Sequence, residues 1–174
     1  MKRPVTVLTR VGLGAACIAM LAQLSVPLPS GVALTLQTFA VALCGRLLGA
    51  RQGTLAAAVY VAIGAVGLPV FAGLRGGAAV LAGPSGGFLW GFLALAACCG
   101  LGAGKRRPVR VLLAAVGLAA CHLAGSLQYA VVAGVPLSAA VAAVSLPYWG
   151  KDFLSLWLAL ALAERIAGRM GRRG

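Results

Sequence analysis

Residues 67–87, with the sequence GLPVFAGLRGGAAVLAGPSGG, form a glycine-rich stretch between two long apolar segments. The stretch holds seven glycines and two prolines, which disfavour a long regular helix. Its other residues are mostly apolar, whereas a solvent-exposed loop would carry more Asp, Asn, Lys and Ser. We therefore expect an ordered loop that folds back over another part of the chain, with Arg75 as its single charged residue.

The composition of the whole chain indicates what this loop covers. Of its 174 residues, 61% are hydrophobic and only 10% are charged, whereas a soluble domain has about 25% charged residues. A soluble fold of this length could not bury so much apolar surface, so lipid must cover part of it. We predict an all-α integral membrane protein with a single transmembrane domain, residues 1–174.

The positive charge of the chain is spread along its length. The net charge is +13, which in a soluble protein would suggest nucleic-acid binding. Here the cations separate apolar segments, a pattern that is typical of membrane topology. We therefore expect the lipid bilayer as a partner and no nucleic acid.

The five cysteines all lie in apolar segments, and no two of them have CxxC spacing. We interpret them as small buried hydrophobic residues, rather than as a disulfide framework or a set of metal ligands. We expect no metal site and no cofactor. The cysteines are Cys17, Cys44, Cys98, Cys99 and Cys121.

Six apolar segments predict six transmembrane helices in a multi-pass protein of the cell membrane. Because this number is even, both termini lie on one side, which carries 13 of the 15 Lys and Arg residues. The other side carries Arg75 and Lys151, so both termini are predicted to be cytoplasmic. A cleaved signal peptide is an alternative for the first segment, which follows a short basic start. The predicted helices span residues 11–26, 36–49, 54–66, 87–102, 109–132 and 152–168.

The two acidic residues, Asp152 and Glu164, lie on opposite sides of this topology. Glu164 accompanies the cytoplasmic arginines, which is an ordinary surface position. Asp152 lies outside at the start of the sixth predicted helix, where it could cap the helix by accepting backbone N–H bonds. It could also accept hydrogen bonds from a ligand, and the two roles do not exclude each other.

Polar and aromatic side chains gather on the outer side, beneath the predicted loop. Mostly apolar pockets with a few placed polar groups are typical of sites for small amphiphilic molecules. An anionic end of such a ligand would suit Arg75 or Lys151, and an uncharged N–H group would suit Asp152. The residues of this set are Thr35, Gln37, Thr38, Arg75, Ser85, Tyr148, Trp149, Lys151 and Asp152.

Five segments resemble the BioY family, the biotin-binding membrane subunits (S components) of energy-coupling-factor (ECF) vitamin transporters. The resemblance covers residues 10–168, and LTLQTFAV together with the glycine-rich stretch is its most specific part. It implies a six-helix fold like that of ECF S components, with cytoplasmic termini and biotin held near the outer face. It also implies high-affinity biotin uptake without enzymatic activity. The segments are LAQLSVPLP, LTLQTFAV, AIGAVGLPVFAG, GGAAVLAGPSGGFLWGF and LPYWGKDFL.

The resemblance also implies which residues bind biotin. Asp152 matches the family's acidic residue at the start of the last helix, which contacts the ureido ring, and the loop around Arg75 matches the segment that closes over the ligand. A lysine often follows this aspartate by three residues in the family, but Ser155 occupies that position here. Lys151 would share a face with the ligand contacts only if it precedes the helix. By resemblance Thr35 and Gln37 match the polar entry to the second helix. Together with residues of the outer polar and aromatic set, the expected substrate-binding residues are Thr35, Gln37, Phe71, Arg75, Gly76, Ser85, Tyr148, Lys151, Asp152 and Ser155.

The first predicted helix carries small residues at four-residue spacing, which lets another membrane helix approach closely, although alanine is common throughout the chain. By resemblance, Ala15 and Ala19 would dock the ECF transmembrane coupling subunit, which two cytoplasmic ATPases drive. The segment GLGAGKRR resembles a P-loop only superficially. Cys99 and Arg106 stand where that motif needs Gly and Ser or Thr, so we expect no ATP site in this chain.

Two other function classes fit parts of the sequence. Ser85 in GPSGG and His122, the single histidine, are the residue types of a rhomboid-like intramembrane serine protease. Against this hypothesis, His122 lies on the helix after that of the serine, and no oxyanion group is evident. An interhelical hydrogen bond or a cavity-facing position would also explain His122. A channel would need a polar stripe along one helix, which no predicted helix shows.

Overall fold

The computed structural model describes residues 4–171 and shows an almost entirely helical chain with one two-stranded antiparallel hairpin. Four cations of the charge count, Lys2, Arg3, Arg172 and Arg173, lie outside the described residues. The elements in chain order are α1 (Pro4–Ala22), β1 (Ser25–Val26), β2 (Leu34–Thr35), α2 (Gln37–Ala65), α3 (Ala78–Ala82), α4 (Gly86–Leu101), α5 (Arg107–Ala133), α6 (Leu137–Val144) and α7 (Leu146–Gly171).

Helix α2 is a helical hairpin, because the chain reverses at Gly49. This residue has a φ of +82° and a ψ of 168°, a conformation that glycine adopts far more easily than other residues. The side-chain amide of Gln37 donates a 2.6 Å hydrogen bond to the hydroxyl of Tyr60, although a straight helix would separate these residues by about 35 Å. The two arms of α2 correspond to the second and third predicted helices.

The outside of the helices is covered with large apolar side chains, as lipid contact requires. Helices α1 and α5 are each long and apolar enough to cross a membrane in one pass, α2 reaches that length only when its two arms are counted together, and α4 is a shorter apolar helix. Leu13, Leu123 and Trp157 are exposed examples on α1, α5 and α7. When the arms of α2 are counted separately, α1, α4, α5 and α7 complete six helical segments, in agreement with the predicted number.

Helix α4 lies between α2 and α5 and contacts both at short range. A Cβ atom at Gly45 of α2 would overlap the backbone of Ala96, and one at Gly91 would lie 2.6 Å from the Cα atom of Cys121 on α5. Glycine at these positions lets the helix backbones approach more closely than larger residues would. Leu95 of α4 is fully buried at this centre.

The described cations divide the molecule into a basic end and an opposite end. At the basic end the turn of α2 meets Gly100 near the end of α4, and Arg110 of α5 forms a 2.8 Å ion pair with Glu164 of α7. The opposite end holds the β1–β2 hairpin and the glycine-rich loop, residues 67–87. The described cations of the basic end include Arg46, Arg51, Lys105, Arg106, Arg107, Arg110, Arg165 and Arg169.

The last helix begins earlier than the sequence predicts. Helix α7 starts at Leu146 rather than at residue 152, and Pro147 is compatible with this start because its missing N–H group is not needed in the first turn. Asp152 therefore lies in the second turn of α7, and its interpretation as an N-cap is wrong. Lys151 also lies within the helix and not before it.

Candidate ligand-binding site

A cavity lies at the end of the molecule opposite the basic end, below the glycine-rich loop. Its walls enclose about 550 Å³ of empty space, part of which is open to the surroundings. The room within it that a water-sized sphere can reach with its centre is about 50 Å³, so the lining side chains leave little free space in this structure. The polar side chains of its lining are Thr35, Gln37, Thr38, Arg75, Ser85, Tyr148, Lys151 and Asp152.

The first half of the glycine-rich loop is a tight turn that brings Phe71 and Arg75 to the cavity. The backbone groups of these two residues bond to each other at 2.9 and 3.3 Å, and Gly73 and Leu74 between them have positive φ angles. Gln23, just after α1, holds the turn in place. Its Nε2 donates to the carbonyl of Phe71 at 3.3 Å, and its Oε1 accepts from the backbone N–H of Leu74 at 3.0 Å.

The second half of the loop is held by Gln128 of α5. Its Nε2 donates to the carbonyls of Leu81 and Gly83 at 2.6 and 2.8 Å. These bonds fix the end of the short helix α3, and Val80 and Ser85 on either side of them line the cavity. The loop is therefore ordered and folded over the cavity, as its composition predicts.

One wall of the cavity is an aromatic and amide cluster shared by α2, β2 and the glycine-rich loop. The ring of Phe71 meets that of Tyr60 edge to face, with centroids 5.5 Å apart. Phe71 can lie there because Gly64 has no side chain, and a Cβ atom at that position would overlap the phenyl ring. The hydroxyl of Thr35 donates to Oε1 of Gln37 at 2.8 Å, while the amide of Gln37 is bonded to Tyr60. Each polar group of this wall is thus oriented by a neighbour.

Asp152 supplies the negative charge of the cavity and is only 4% exposed. Its Oδ2 lies 3.2 Å from Nε2 of His122, and its Oδ1 forms an ion pair with Nζ of Lys151. Oδ1 is thus in direct contact with the ammonium group, whose charge compensates that of the carboxylate. Lys151 also donates a 2.8 Å hydrogen bond to the carbonyl of Thr35. Because a carboxylate oxygen has more than one lone pair, Oδ1 can still accept a hydrogen bond from a ligand beside its contact with Lys151.

His122 joins Asp152 to two serines behind the cavity. Its Nδ1 lies 3.1 Å from Oγ of Ser145, which in turn lies 2.8 Å from Oγ of Ser126. All these side chains are buried. The interhelical hydrogen bond that was one interpretation of His122 is therefore present, and it reaches the carboxylate of the cavity.

Tyr148 connects α7 to the β1–β2 hairpin. Its hydroxyl donates to the carbonyl of Val32 at 2.5 Å and lies 3.3 Å from Oγ of Ser30. Because Val32 and Tyr148 also line the cavity, this contact closes part of its rim.

Comparison with known proteins places this arrangement in a family. The profile of the BioY family matches residues 1–172. The chain belongs to the BioY family. A "Probable biotin transporter BioY" of Pyrococcus horikoshii is 38% identical over 158 residues, which cover 91% of this chain and 94% of that protein. The "Biotin transporter BioY" of Thermotoga maritima is 48% identical over 107 residues, 62% of this chain and less than two thirds (63%) of that protein.

A solved structure shows the same fold as this member of the BioY family. It is a crystal structure described as the S-component for biotin from an ECF-type ABC transporter. The two structures superpose with a TM-score of 0.84 at 24% identity, over 94% of this chain and 92% of the other. The predicted fold class, an all-α membrane protein like the ECF S components, is therefore confirmed.

Eight of the ten residues that the sequence singles out as substrate-binding lie around one cavity of this BioY-family chain: Thr35, Gln37, Phe71, Arg75, Ser85, Tyr148, Lys151 and Asp152. Two do not line it. Gly76 allows close contact within the loop, because a Cβ atom there would overlap the carbonyl of Leu68. Ser155 is buried on α7.

The apolar wall formed by α4 was not predicted from the sequence. Phe88, Leu89 and Phe92 line the cavity, together with Ser85 just before the helix. Their spacing of three and four residues puts them on one face of a helix, which is a signal that the sequence does carry. The signal is weak in this segment because nearly every residue of α4 is apolar, so no face is distinguished by composition.

Ala15 and Ala19, the residues expected to dock a coupling subunit, border an apolar groove between α1 and α2. Ala15 is buried and Ala19 is partly buried, whereas Gly12 and Ala16 beside them are exposed. The groove also reaches Tyr60, on the back of the aromatic wall. Docking at Ala15 and Ala19 stays a prediction.

The geometry does not favour the protease hypothesis. Both ring nitrogens of His122 face other groups, Ser145 and Asp152, and within residues 4–171 no hydrogen bond joins His122 to Ser85. A serine without a base in reach is not activated as a nucleophile. In the same part of the chain, no cluster of three or more His, Cys, Asp or Glu residues could hold a metal ion.

Proposed function

We propose that this chain captures biotin at the outer face of the membrane, as the substrate-binding S component of an ECF-type transporter. The observation that carries the proposal is the cavity itself, which sets a buried carboxylate beside two cations and aromatic walls. Family membership and relatives named biotin transporters support the choice of ligand.

Biotin's groups find complementary partners in the cavity. Oδ1 of Asp152 would accept a hydrogen bond from an N–H group of the ureido ring. The sulfur-containing ring would lie against Phe71, Phe88 and Phe92, since thioether sulfur makes favourable contacts with aromatic rings. Thr35 and Gln37 would form hydrogen bonds with the remaining polar groups of the ureido ring.

The valerate carboxylate of biotin suits Arg75 better than Lys151. The hydrogen bond that Arg75 makes within the described residues uses its Nε, which donates to the carbonyl of Ala72 at 3.1 Å. Its two Nη groups therefore stay available for a carboxylate, to which they can donate two parallel hydrogen bonds. Lys151 is already engaged with Asp152 and with the carbonyl of Thr35. We assign Lys151 to neutralising Asp152 and Arg75 to the ligand anion.

Capture and release would occur on opposite sides of the membrane. The proposal places both termini and the basic end in the cytoplasm, because basic residues are enriched on that side, and it places the cavity outside. Release inward requires a lower affinity for biotin in another state, and the ECF coupling subunit with its two ATPases would supply that bias. The coupling subunit would dock on the groove at Ala15 and Ala19.

Equilibrium binding of biotin to the purified chain in detergent tests the proposal. We expect saturable binding of biotin, weaker binding of biotin amide because it lacks the anion, and retained binding of dethiobiotin because it keeps the ureido ring. Absence of biotin binding by a monodisperse, folded sample would overturn the assignment.

A further inference from the structure

A buried chain of side-chain hydrogen bonds leads from α5 to the cavity and ends on Asp152. It runs from Ser126 to Ser145 at 2.8 Å, from Ser145 to His122 at 3.1 Å, and from His122 to Asp152 at 3.2 Å. Ser126 and His122 belong to α5, Ser145 follows α6, and Asp152 belongs to α7. The chain therefore joins three elements behind the ligand site.

The direction of the last bond follows from the chemistry of the groups. Nε2 of His122 faces a carboxylate oxygen, which only accepts, so the proton is on Nε2. In the neutral ring Nδ1 then accepts from the hydroxyl of Ser145, and Ser126 donates to Ser145. In the protonated ring Nδ1 donates to Ser145, and the bond between the two serines can then run in either direction. In both cases Nε2 donates to Oδ2 of Asp152.

The ring of His122 is held in this orientation from two sides. The rings of Phe88 and Trp149 meet it edge to face, with centroids 5.8 and 6.3 Å away. His122 itself is buried and does not line the cavity, so it acts on the cavity only through Asp152.

We propose that His122 is a positioning residue for ligand recognition, which holds Oδ2 of Asp152 so that Oδ1 accepts an N–H bond from the ligand. The inference rests on the proposed function, in which that donor is the ureido ring of biotin. With Oδ2 engaged by His122, the carboxylate can turn less, and a ligand does not have to order it. His122 would thus contribute to affinity without touching biotin.

Three substitutions of His122 separate this role from simple packing. In Gln the side-chain amide nitrogen reaches about as far as Nε2 and can still donate to Asp152, whereas in Asn it reaches only as far as Nδ1. His122→Phe removes both bonds but keeps a ring. We expect biotin affinity to fall about tenfold or more in His122→Phe and His122→Asn, since a hydrogen bond to a charged group is lost. We expect His122→Gln to stay close to the native affinity.

The measurement is equilibrium biotin binding in detergent, with monodispersity and thermal unfolding recorded for each variant. Leu123→Ala, the next position of α5 on its exposed face, is the matched control and should bind like the native chain. Equal affinities of the Asn and Gln variants, or native affinity of His122→Phe, would overturn the inference while leaving biotin capture intact. Failure of the native chain to bind biotin would instead overturn the proposed function.

A double-mutant cycle distinguishes a role through Asp152 from an independent structural role of His122. If His122 acts through Asp152, adding His122→Phe to Asp152→Asn should lower biotin affinity little further, because the oriented carboxylate is already gone. The same fold loss in both backgrounds would show an independent, structural role. Should His122→Phe not fold, Ser145→Ala removes the partner of Nδ1 and should lower affinity in the same direction by less. Native affinity of Ser145→Ala would then contradict the inference.

Discussion

At the scale of single residues, the two cations of the cavity have different tasks. Lys151 forms an ion pair with Asp152 and a hydrogen bond to the backbone of Thr35, so its charge is used within the protein. A buried carboxylate without a nearby cation would be strongly disfavoured. Arg75 is bonded only through Nε in the described residues, and its remaining donors are open to a ligand.

Substitution of Arg75 tests this division. Arg75→Ala should weaken biotin binding by about tenfold or more, because a charge-assisted pair with the ligand carboxylate is lost. The same variant should bind biotin amide nearly as well as the native chain does. Affinities from equilibrium binding of both ligands provide the check, with Arg51→Ala at the basic end as the control. Equal losses for the two ligands would remove Arg75 from the carboxylate.

The sequence indicates which residues belong to the site better than it indicates which of them contact each other. Asp152 and Arg75 could be recognised because acidic residues and outer cations are rare in this chain. The partner of His122 could not be recognised, because a contact between α5 and α7 depends on how far each helix is rotated about its axis, and that rotation is set by packing between the helices. Lys151 illustrates the same point, since it lies in the helix next to Asp152 and still reaches its carboxylate.

At the scale of elements, the loop of residues 67–87 is anchored by glutamines from two different helical regions. Gln23 bonds the backbone of its first half, and Gln128 bonds that of its second half. The bonds use main-chain groups of the loop, so they fix its path whatever side chains it carries. The order of the loop could be expected from its apolar residues, whereas these anchors lie 47 residues away in sequence and carry no local signal.

Loss of the Gln23 anchor should speed the escape of biotin. Gln23→Leu removes the bonds to Val70, Phe71 and Leu74, so the turn should open more often and the dissociation rate should rise by at least tenfold and up to about a hundredfold, given about 1 kcal/mol for each of the three bonds. The rate can be measured by displacing bound labelled biotin with excess unlabelled ligand. Gln52→Leu, near the turn of α2 at the basic end, is the control. An unchanged dissociation rate in Gln23→Leu would show that the turn does not gate the cavity.

At the scale of the whole molecule, the charges separate the two ends. The described cations cluster at the basic end, apart from Arg75 and Lys151, which both line the cavity. The break at Gly49 contributes to this separation, because it returns α2 to the cavity end and leaves Arg46 and Arg51 at the turn. The sequence predicts this arrangement well, since it depends on segment order and charge rather than on side-chain geometry.

The proposed orientation in the membrane can be measured directly. A green fluorescent protein fused to the C-terminus should fluoresce, and alkaline phosphatase fused there should be inactive, because both report a cytoplasmic terminus. Phosphatase fused after residue 134, between α5 and α6, should be active. The reverse pattern would place the cavity on the cytoplasmic side and would contradict capture from outside.

The glycine contacts around α4 have a mechanical consequence. Where Gly45 and Gly91 bring helix backbones together, sliding one helix past the next would drive main chain into main chain. Motions that admit a ligand therefore cost the least free energy in the loop of residues 67–87 and in the β1–β2 hairpin, which are held by hydrogen bonds from side-chain amides and hydroxyls. The packed helices would therefore move as one rigid body in any tilting that carries the ligand across the bilayer, whereas the loop and the hairpin can move separately.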